Sequence, residues 1–401
     1  MAESAIPLAH PETARECPFS PPPQYTARRE EQPLSRVDLW NGTRPWLATR
    51  FEDVRRVLQD ARFSADTSRP GYPLRSAGTK ALTGGLRSFG QMDDPEHSRL
   101  RRMVNTEFTA RRAETLRPQI QDVVDGLVDH MEGTAPPVDL VTEFALPTAS
   151  LVISRLLGVP YEDHAFFQKQ SITRLNRSVT EAEVVRAEEE LSRFLNNLAD
   201  KKADDPQDDL MSRLVNEREA TGQLTRAETL SVVRTLLTAG HESTANMISL
   251  STLALLQHPE QLAAVREDPT VIKSAVEELL RYLSVAQNGL SRVATEDVNV
   301  AGQLVRAGEG VICMVNTANR DPRQFDAPDD LDVRRDARRH VAFGFGIHQC
   351  VAHSLARVEL QVALGTLLRR LPRLRLAVAA EDLSYSYEMV VFGVRQLPVE
   401  W

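Results

Sequence analysis

The chain has 401 residues, of which 26% are charged, and a formal net charge of −8 at pH 7. The sequence shows no repeat and no Pro-, Gly- or Ser-rich linker, so we predict one large domain over residues 1–401. The negative balance argues against a nucleic-acid partner. The cysteines, Cys17, Cys313 and Cys350, are odd in number and widely spaced, which argues against a disulfide framework and predicts a reducing, cytoplasmic location.

The first 25 residues form a proline-rich N-terminal arm without a long apolar run. This composition predicts neither a signal peptide nor a membrane anchor. Beyond the arm, residues 46–49 fit a short strand, and residues 51–60 fit a helix with one apolar face. Residues 64–87 are rich in Gly, Pro, Ser and Thr and predict a surface loop.

The next segment, residues 92–102, carries a possible anion site. Asp94 followed by Pro95 is typical of a helix start. His97 and Arg101 are spaced i, i+4 and would share one face of that helix. Such a face can grip a carboxylate, although it can equally be a solvated basic surface. Four further helices are predicted at 115–132, 144–158, 166–177 and 181–202.

A longer helix is predicted from residue 225 to residue 257. Thr225 and Glu228 form a capping box at its start, and Pro259 lies just beyond its end. The predicted length is about 45–50 Å, enough to cross a whole domain. Its centre, residues 238–244, holds a glycine, an acid and three hydroxyl side chains, which either bend the helix locally or serve a function.

The chain continues with a helix predicted over residues 268–283. Glu278 and Arg281 are spaced i, i+3 on it, so acid and base share a face. Alternating segments at 291–300 and 310–315 predict a small β region, in which Cys313 is a core residue.

The segment 342–350 carries the chemistry. Gly344 and Gly346 flank Phe345, and Cys350 precedes an apolar, helix-like run. Glycines let a chain pass close to a flat partner, and a helix N-terminus is expected to lower the pKa of a thiol. These features suit a single thiolate ligand for the metal of a planar macrocycle.

Cys350 has three alternative interpretations. A lone cysteine is often only a small buried residue. A zinc site of His348, Cys350 and His353 would lack an assigned fourth ligand. The Cys-x-x-Cys-His run of c-type haem is absent from the sequence.

The run Phe343-Gly344-x-Gly346-x-His348-x-Cys350 resembles the haem-ligand signature of the cytochrome P450 superfamily of haem-thiolate monooxygenases. The resemblance implies a mainly α fold with a minor β region, the cytochrome P450 fold, with haem b between the long central helix and the helix after the cysteine loop. Cys350 would be the iron ligand. Ala352 stands where the family usually has glycine.

The resemblance also implies roles for other residues of this chain. Residues contacting the haem or its propionates would be His97, Arg101, Ala239, Arg292, Phe343, Gly344 and His348. Oxygen activation and proton delivery would fall to Gly240, Glu242, Ser243 and Thr244. Glu278 and Arg281 would lock the cysteine loop; Asp330 holds the place of the usual third partner, for which Arg334 or Arg335 could substitute. The residues expected to line the substrate pocket are Leu86, Leu237, Val285, Leu290, Val390 and Phe392.

The implied activity inserts one oxygen atom from O2 into an apolar small molecule by hydroxylation or epoxidation. Electrons would come from a separate ferredoxin and an NAD(P)H-linked ferredoxin reductase, with an acidic ferredoxin meeting a basic surface of Arg101, Arg102, Arg111, Arg112, Arg338, Arg339 and Arg357. The resemblance is greatest to soluble actinomycete members that oxidise macrolides, other polyketides and xenobiotics. A peroxide-driven peroxygenase and a non-catalytic haem sensor are the alternatives.

Overall fold

The computed structural model describes residues 8–11, 15, 17–85 and 87–401. The protein is mainly helical, as the sequence predicts. Within these residues the helices are α1 Pro23–Glu31, α2 Phe51–Gln59, α3 Ala77–Ala81, α4 Glu96–Val104, α5 Ala110–Glu132, α6 Leu146–Leu157, α7 His164–Leu175, α8 Glu181–Asp204, α9 Leu210–Arg213, α10 Arg226–Leu256, α11 Pro259–Glu267, α12 Ile272–Leu283, α13 Val315–Ala318 and α14 His353–Arg370.

The β structure is minor and consists of short strands. Its strands are β1 Leu8–Ala9, β2 Leu34–Asp38, β3 Trp46–Ala48, β4 Phe63–Ser64, β5 Val138–Asp139, β6 Leu290–Ala294, β7 Val298–Val300, β8 Gln303–Val305, β9 Gly310–Cys313, β10 Arg375–Leu376 and β11 Pro398–Glu400. The largest sheet has the order β1-β2-β3-β9-β6-β4. In it β6 pairs antiparallel with β9, Arg292 opposite Val311, which fixes the position of Arg292. Cys313 is fully buried there, as predicted.

The long helix α10 organises the helical core. Thr225 and Glu228 form the predicted capping box, and the helix ends at Leu256, before Pro259. A Cβ added at Gly240 would lie 3.2 Å from Ile153 of α6. The glycine therefore permits the close approach of α6, which is a packing role that the sequence did not reveal.

The Glu278–Arg281 pair lies on α12 and is fully buried, as predicted. Arg281 Nε donates to Glu278 Oε2 at 2.7 Å, and Arg281 also donates to the carbonyl oxygens of Asn319 and Pro328 at 2.9 and 2.7 Å. The third partner is Arg335, whose Nε lies 3.2 Å from Glu278 Oε1. The network ties α12 to the segment that leads into the cysteine loop.

Three local predictions were wrong at their boundaries. The helix expected at 115–132 begins at Ala110, because the Thr109 side chain caps the N–H of Arg112. The loop expected at 64–87 contains α3, which Ser76 caps. The helix expected to start at Pro95 begins at Glu96. In the first two cases a single side chain caps the helix, and such caps shift helix ends by a few residues. The start at Glu96 has no side-chain cap.

None of the helices in the described part of the chain is both long and apolar enough to span a membrane.

Candidate active site

The cysteine loop depends on two glycines in the left-handed region. Gly344 has φ 72° and Gly346 has φ 76°, angles that other residues adopt only with strain. A Cβ at Gly346 would also lie 2.6 Å from the carbonyl oxygen of Leu58. The loop closes where the Cys350 N–H donates to the Phe343 carbonyl at 2.8 Å. Cys350 is thereby held three residues before the first residue of α14.

The electrostatics of Cys350 differ from the sequence-based prediction. Burial raises the pKa of the Cys350 thiol, and this outweighs the lowering effects of the Ala352 backbone N–H and of the Arg101 and Arg357 guanidinium groups. The polypeptide alone therefore favours the thiol, contrary to the lowered pKa expected from the helix N-terminus. A coordinated metal ion is the charge that deprotonates such a thiol, so the donor set suits a metal ligand.

The middle of α10 carries a strip that is more exposed than the rest of the helix. Most of this helix is buried, yet Ala239 is exposed and Ser243 is partly exposed in its middle. Both belong to one strip of the helix, since they are spaced i, i+4. A small side chain and a hydroxyl along an otherwise buried helix leave room for a flat group beside it.

A cluster of four cationic or imidazole side chains, His97, Arg101, Arg292 and His348, lies near Cys350. The rings of His97 and His348 have centroids 4.1 Å apart. Burial, then the charges of Arg292, His97 and Arg101, lower the pKa of His348 to about 3. Within the described part of the chain, His97 Nε2 and His348 Nδ1 are buried without a hydrogen-bond partner. These groups form a site for anionic oxygens, and a haem with two propionates fits it.

The positive charges of the anion site are only partly balanced by groups of the protein itself. Arg101 donates to the Ile347 carbonyl at 2.8 Å, and Arg292 donates to the Ser291 carbonyl at 2.8 Å. Asp94 Oδ1 lies 3.4 Å from His97 Nδ1, although Asp94 also accepts hydrogen bonds from Ser98. The structure thus brings together all four residues that the sequence assigned to the propionates.

The acid and alcohol residues of α10 have distinct environments. Burial raises the pKa of Glu242 to about 7. Ser243 Oγ donates to the Ala239 carbonyl at 2.7 Å, so its oxygen remains able to accept a hydrogen bond. Thr244 is instead bonded to Glu359 of α14, and burial, opposed by that bond, raises the pKa of Glu359 to about 8. Glu242 and Ser243 therefore suit proton handling better than Thr244.

The residues predicted to line the substrate pocket have different surroundings in the structure. Leu237 is fully buried, and Leu290 Cδ1 lies 3.2 Å from where a Cβ on Gly344 would be. Val285 accepts a hydrogen bond from the Phe392 N–H at 2.9 Å, and the Val390 N–H donates to Leu175 at 3.0 Å. The 389–392 turn therefore contacts α7 and the segment after α12.

Phe392 itself belongs to an aromatic cluster. Its ring stacks on Tyr385 at a centroid distance of 5.6 Å, and the Arg15 guanidinium lies 4.3 Å from its centre. These contacts give Phe392 a packing role, and its pocket assignment stays a prediction. Leu86, also predicted to line the pocket, lies outside the described residues.

A polar network that joins α7, α8 and α10 was not predicted. Arg174 Nε lies 2.7 Å from Glu188 Oε2, Arg174 also donates to Thr238 Oγ1 at 3.1 Å, and Arg234 pairs with the same Glu188. The missed residues also include His241 and Glu359. Their partners lie on different helices, so no local spacing could have identified them.

Comparison with known proteins agrees with this geometry. The family model "Cytochrome P450" matches residues 33–375. Cytochrome P450-SU2 of Streptomyces griseolus is 52% identical over 96% of this chain and 94% of its own. Pentalenic acid synthase of Streptomyces avermitilis is 49% identical over 99% and 98%.

A solved structure shows the same similarity in three dimensions. The crystal structure of mycinamicin VIII C21 methyl hydroxylase from Micromonospora griseorubida, bound to mycinamicin VIII, has a TM-score of 0.93 and 41% identity, covering 98% of this chain and all of that one. Given this match over nearly the full length and the glycine-bounded cysteine loop, the chain belongs to the cytochrome P450 family and is a haem-thiolate monooxygenase.

Proposed function

We propose that this protein hydroxylates or epoxidises an apolar small molecule of secondary metabolism, such as a macrolide or other polyketide, or a xenobiotic. The proposal includes haem b as the cofactor, a ferredoxin and its reductase as the electron supply, residues 1–401 as one domain, and a cytoplasmic location. The observation that carries it is the four-residue anion site beside the Cys350 loop, where Arg101 acts on Cys350 and where Arg292, His97 and Arg101 act on His348.

Haem binding would use three sets of residues. Cys350 would ligate the iron, Phe343 and Gly344 would contact one face of the ring, and Ala239 the other. His97, Arg101, Arg292 and His348 would hold the propionates through charge-assisted hydrogen bonds. When bound, a thiolate-ligated haem supplies the activation of dioxygen, with one oxygen atom inserted into the substrate and the other released as water.

Protons would reach the reaction through Glu242 and Ser243. A carboxyl group whose pKa is raised to about 7 by burial is able both to give and to regain a proton near neutral pH. Ser243 presents an acceptor oxygen on the same strip of helix as Ala239. Gly240 keeps the helix close to α6, and a role for it in admitting dioxygen remains a proposal.

The substrate is expected to be largely apolar. Among the described apolar candidates, Leu237 lies two residues before Ala239 on α10, and Leu290 Cδ1 lies 3.2 Å from where a Cβ on Gly344 would be. Val285 lies beside the 389–392 turn. Relatives bearing the names pentalenic acid synthase and mycinamicin VIII C21 methyl hydroxylase support a tailoring reaction on a secondary metabolite. Binding of candidate macrolides and terpenoids, followed by the change in haem absorbance on water displacement, would rank these classes.

Electron delivery would use the surface on the cysteine side. Arg102, Arg111, Arg338 and Arg339 are exposed, while Arg357 is held by Glu277 at 3.0 Å. A surface cavity of about 680 Å3 opens beside Gln349, His353 and Arg357. An acidic ferredoxin would meet positive charge close to the loop that holds Cys350.

One pair of measurements tests the proposed function. The reduced protein with carbon monoxide should show the red-shifted Soret band of thiolate ligation. Turnover should then require ferredoxin, reductase, NAD(P)H and O2 together. The relatives do not favour a peroxygenase or a sensor; efficient product formation with hydrogen peroxide alone, or haem binding without turnover of any substrate class, would contradict the proposal.

A further inference from the structure

A buried histidine lies directly beside the proposed proton carrier. His241 is fully buried in the middle of α10. Its Nδ1 lies 2.7 Å from the hydroxyl of Ser150 on α6, and its ring meets Phe167 of α7 edge to face at 5.8 Å. Burial, with a smaller contribution from His164, lowers the pKa of His241 to about 4. The imidazole is therefore neutral near pH 7.

Two orphaned polar atoms face each other at this place. Among the described residues, His241 Nε2 and Glu242 Oε1 are buried without a hydrogen-bond partner. They lie 3.9 Å apart. That separation is too long for a hydrogen bond, and a shift of about 1 Å in the flexible Glu242 side chain would bring it into range. Leaving both groups unpaired is costly in a low-dielectric interior.

The hydrogen-bond inventory fixes how the histidine would be oriented. A neutral imidazole has one N–H and one acceptor nitrogen. If the Ser150 hydroxyl donates to Nδ1, the ring hydrogen sits on Nε2 and points to the side of Glu242. If Glu242 Oε1 accepts a hydrogen bond from Nε2–H, the Ser150 hydroxyl and both ring nitrogens each have a hydrogen-bond partner.

We propose that His241 is a positioning residue for Glu242. Its Nε2–H, oriented by Ser150, donates a hydrogen bond to the Glu242 carboxylate each time that Glu242 gives up its proton. This inference rests on the proton-carrying role proposed above for Glu242. The protonated carboxyl group is neutral and needs this donor less, so it is free to turn to the Ser243 side of the helix. After the proton leaves toward the oxygen-binding space, the carboxylate returns to His241 until water supplies another proton.

Other titratable groups around this part of α10 have their own partners. Glu188 of α8 is held between Arg174 and Arg234, and Glu359 of α14 is bonded to Thr244. His164 of α7 acts on His241 through its charge, and its ring bonds to the Tyr161 carbonyl. His241 is thus the donor that the structure offers to the ionised Glu242.

The first test measures ionisation without turnover. The carboxyl C=O infrared band of Glu242, assigned by its loss in Glu242→Gln, is titrated with pH in the haem-loaded protein. A donor to the ionised form lowers the pKa, so its removal in His241→Phe should raise the ionisation midpoint by about 1 unit. His241→Gln retains an N–H and should recover part of the shift. His258→Gln, at the far end of α10, should leave the midpoint unchanged.

The second test follows catalysis. If Glu242 must be reprotonated between turnovers, activity falls at alkaline pH. In His241→Phe the midpoint of this alkaline limb of the kcat profile should shift to higher pH by the same amount as the infrared midpoint. Ser150→Ala should shift both midpoints in the same direction by less, and it serves as the deciding variant if His241→Phe does not fold. Equal infrared midpoints in wild type and in whichever of these variants folds would overturn the inference.

The two proposals fail separately. If Glu242→Gln keeps normal rate and coupling, the proton-carrying role of Glu242 is wrong, and with it the catalytic part of this inference. If Glu242→Gln is impaired but the His241 and Ser150 variants show no infrared shift, Glu242 carries protons and His241 is only a packed core residue.

Discussion

Removal of either charge from the Glu278–Arg281 pair should be strongly destabilising. Both side chains are fully buried. In Glu278→Ala, Arg281 loses two hydrogen bonds of 2.7 and 2.8 Å, and the Asp332 N–H and the Arg335 guanidinium lose the acceptor they share, Glu278 Oε1. An uncompensated buried charge costs about 3–5 kcal/mol, a large fraction of the 5–15 kcal/mol of a typical domain.

The assay is urea unfolding combined with the haem-to-protein ratio of the purified variants. Glu278→Ala and Arg281→Ala should unfold at much lower urea or accumulate as haem-poor protein. Arg335→Ala leaves the central pair intact and should cost less, about 1.5–3 kcal/mol for a hydrogen bond to a charged group. Arg334→Ala is the matched control, because this arginine is exposed and pairs only loosely with Asp268 at 3.6 Å.

Normal haem content and an unchanged unfolding midpoint in both Glu278→Ala and Arg281→Ala would refute this reasoning. Equal losses in Arg334→Ala and Arg335→Ala would show instead that the whole segment responds to any substitution. The predicted order, with the pair most sensitive, Arg335 intermediate and Arg334 insensitive, follows from the burial of each side chain and from the hydrogen bonds that each substitution removes.

Three further predictions concern the site. Cys350→Ala should abolish the thiolate-type carbon monoxide spectrum while Cys313→Ala retains it; a retained spectrum in the first variant would identify another ligand. Ferredoxin-driven turnover should fall as salt rises to about 0.5 M, because screening lengths shorten to a few Å, and a flat response with unchanged substrate binding would refute docking on the basic surface. Ser243→Ala should keep its haem but release more hydrogen peroxide per NAD(P)H, and Glu242→Ala should slow turnover further, by about 10²–10⁴-fold. Both predictions are checked by measuring product, hydrogen peroxide and NAD(P)H consumption in one assay. Unchanged rate and coupling in the two variants would contradict the proposed role of the acid and the alcohol.

Local signals explain which parts of the molecule were predictable. The bounds of α10 follow from a capping box at Thr225 and a proline after Leu256, both of which act within one turn of the helix. The cysteine loop follows from Gly344 and Gly346, whose positive φ angles are demanded by the turn itself. In both cases the determining interaction lies within a few residues of the element that it determines.

The rest depended on contacts between distant segments. The sequence left Arg334 and Arg335 as candidates for the third partner of the Glu278–Arg281 pair. The folded chain selects Arg335, which pairs with Glu278, while Arg334 pairs with Asp268. The thiol pKa of Cys350 was predicted with the wrong sign, because burial is a property of the folded chain and outweighs the local helix terminus. The bond between Thr244 and Glu359 joins α10 to α14 and likewise has no sequence signature.

Glu277 gives a stability prediction that depends on pH. Burial opposes its ionisation, but hydrogen bonds and charges from His340 and Arg357 prevail and lower the pKa of Glu277 from its ordinary 4.5 to about 2. The ionised form therefore stabilises the fold above pH 4.5, by about 3 kcal/mol, and this contribution is lost as pH falls toward 2. Arg357 also lies 4.7 Å from the centre of the Phe343 ring, so the charge supports the cysteine loop.

The variant Glu277→Gln keeps the shape of Glu277 and removes its charge. The difference in unfolding free energy between wild type and Glu277→Gln should be about 3 kcal/mol at pH 7 and should shrink as the pH is lowered below 4.5. Glu260→Gln, at an exposed position of α11, should show no such difference at either pH. A Glu277→Gln deficit that stays constant from pH 7 to pH 3 would mean that lost packing, and not the charge held by His340 and Arg357, is what the cysteine loop requires.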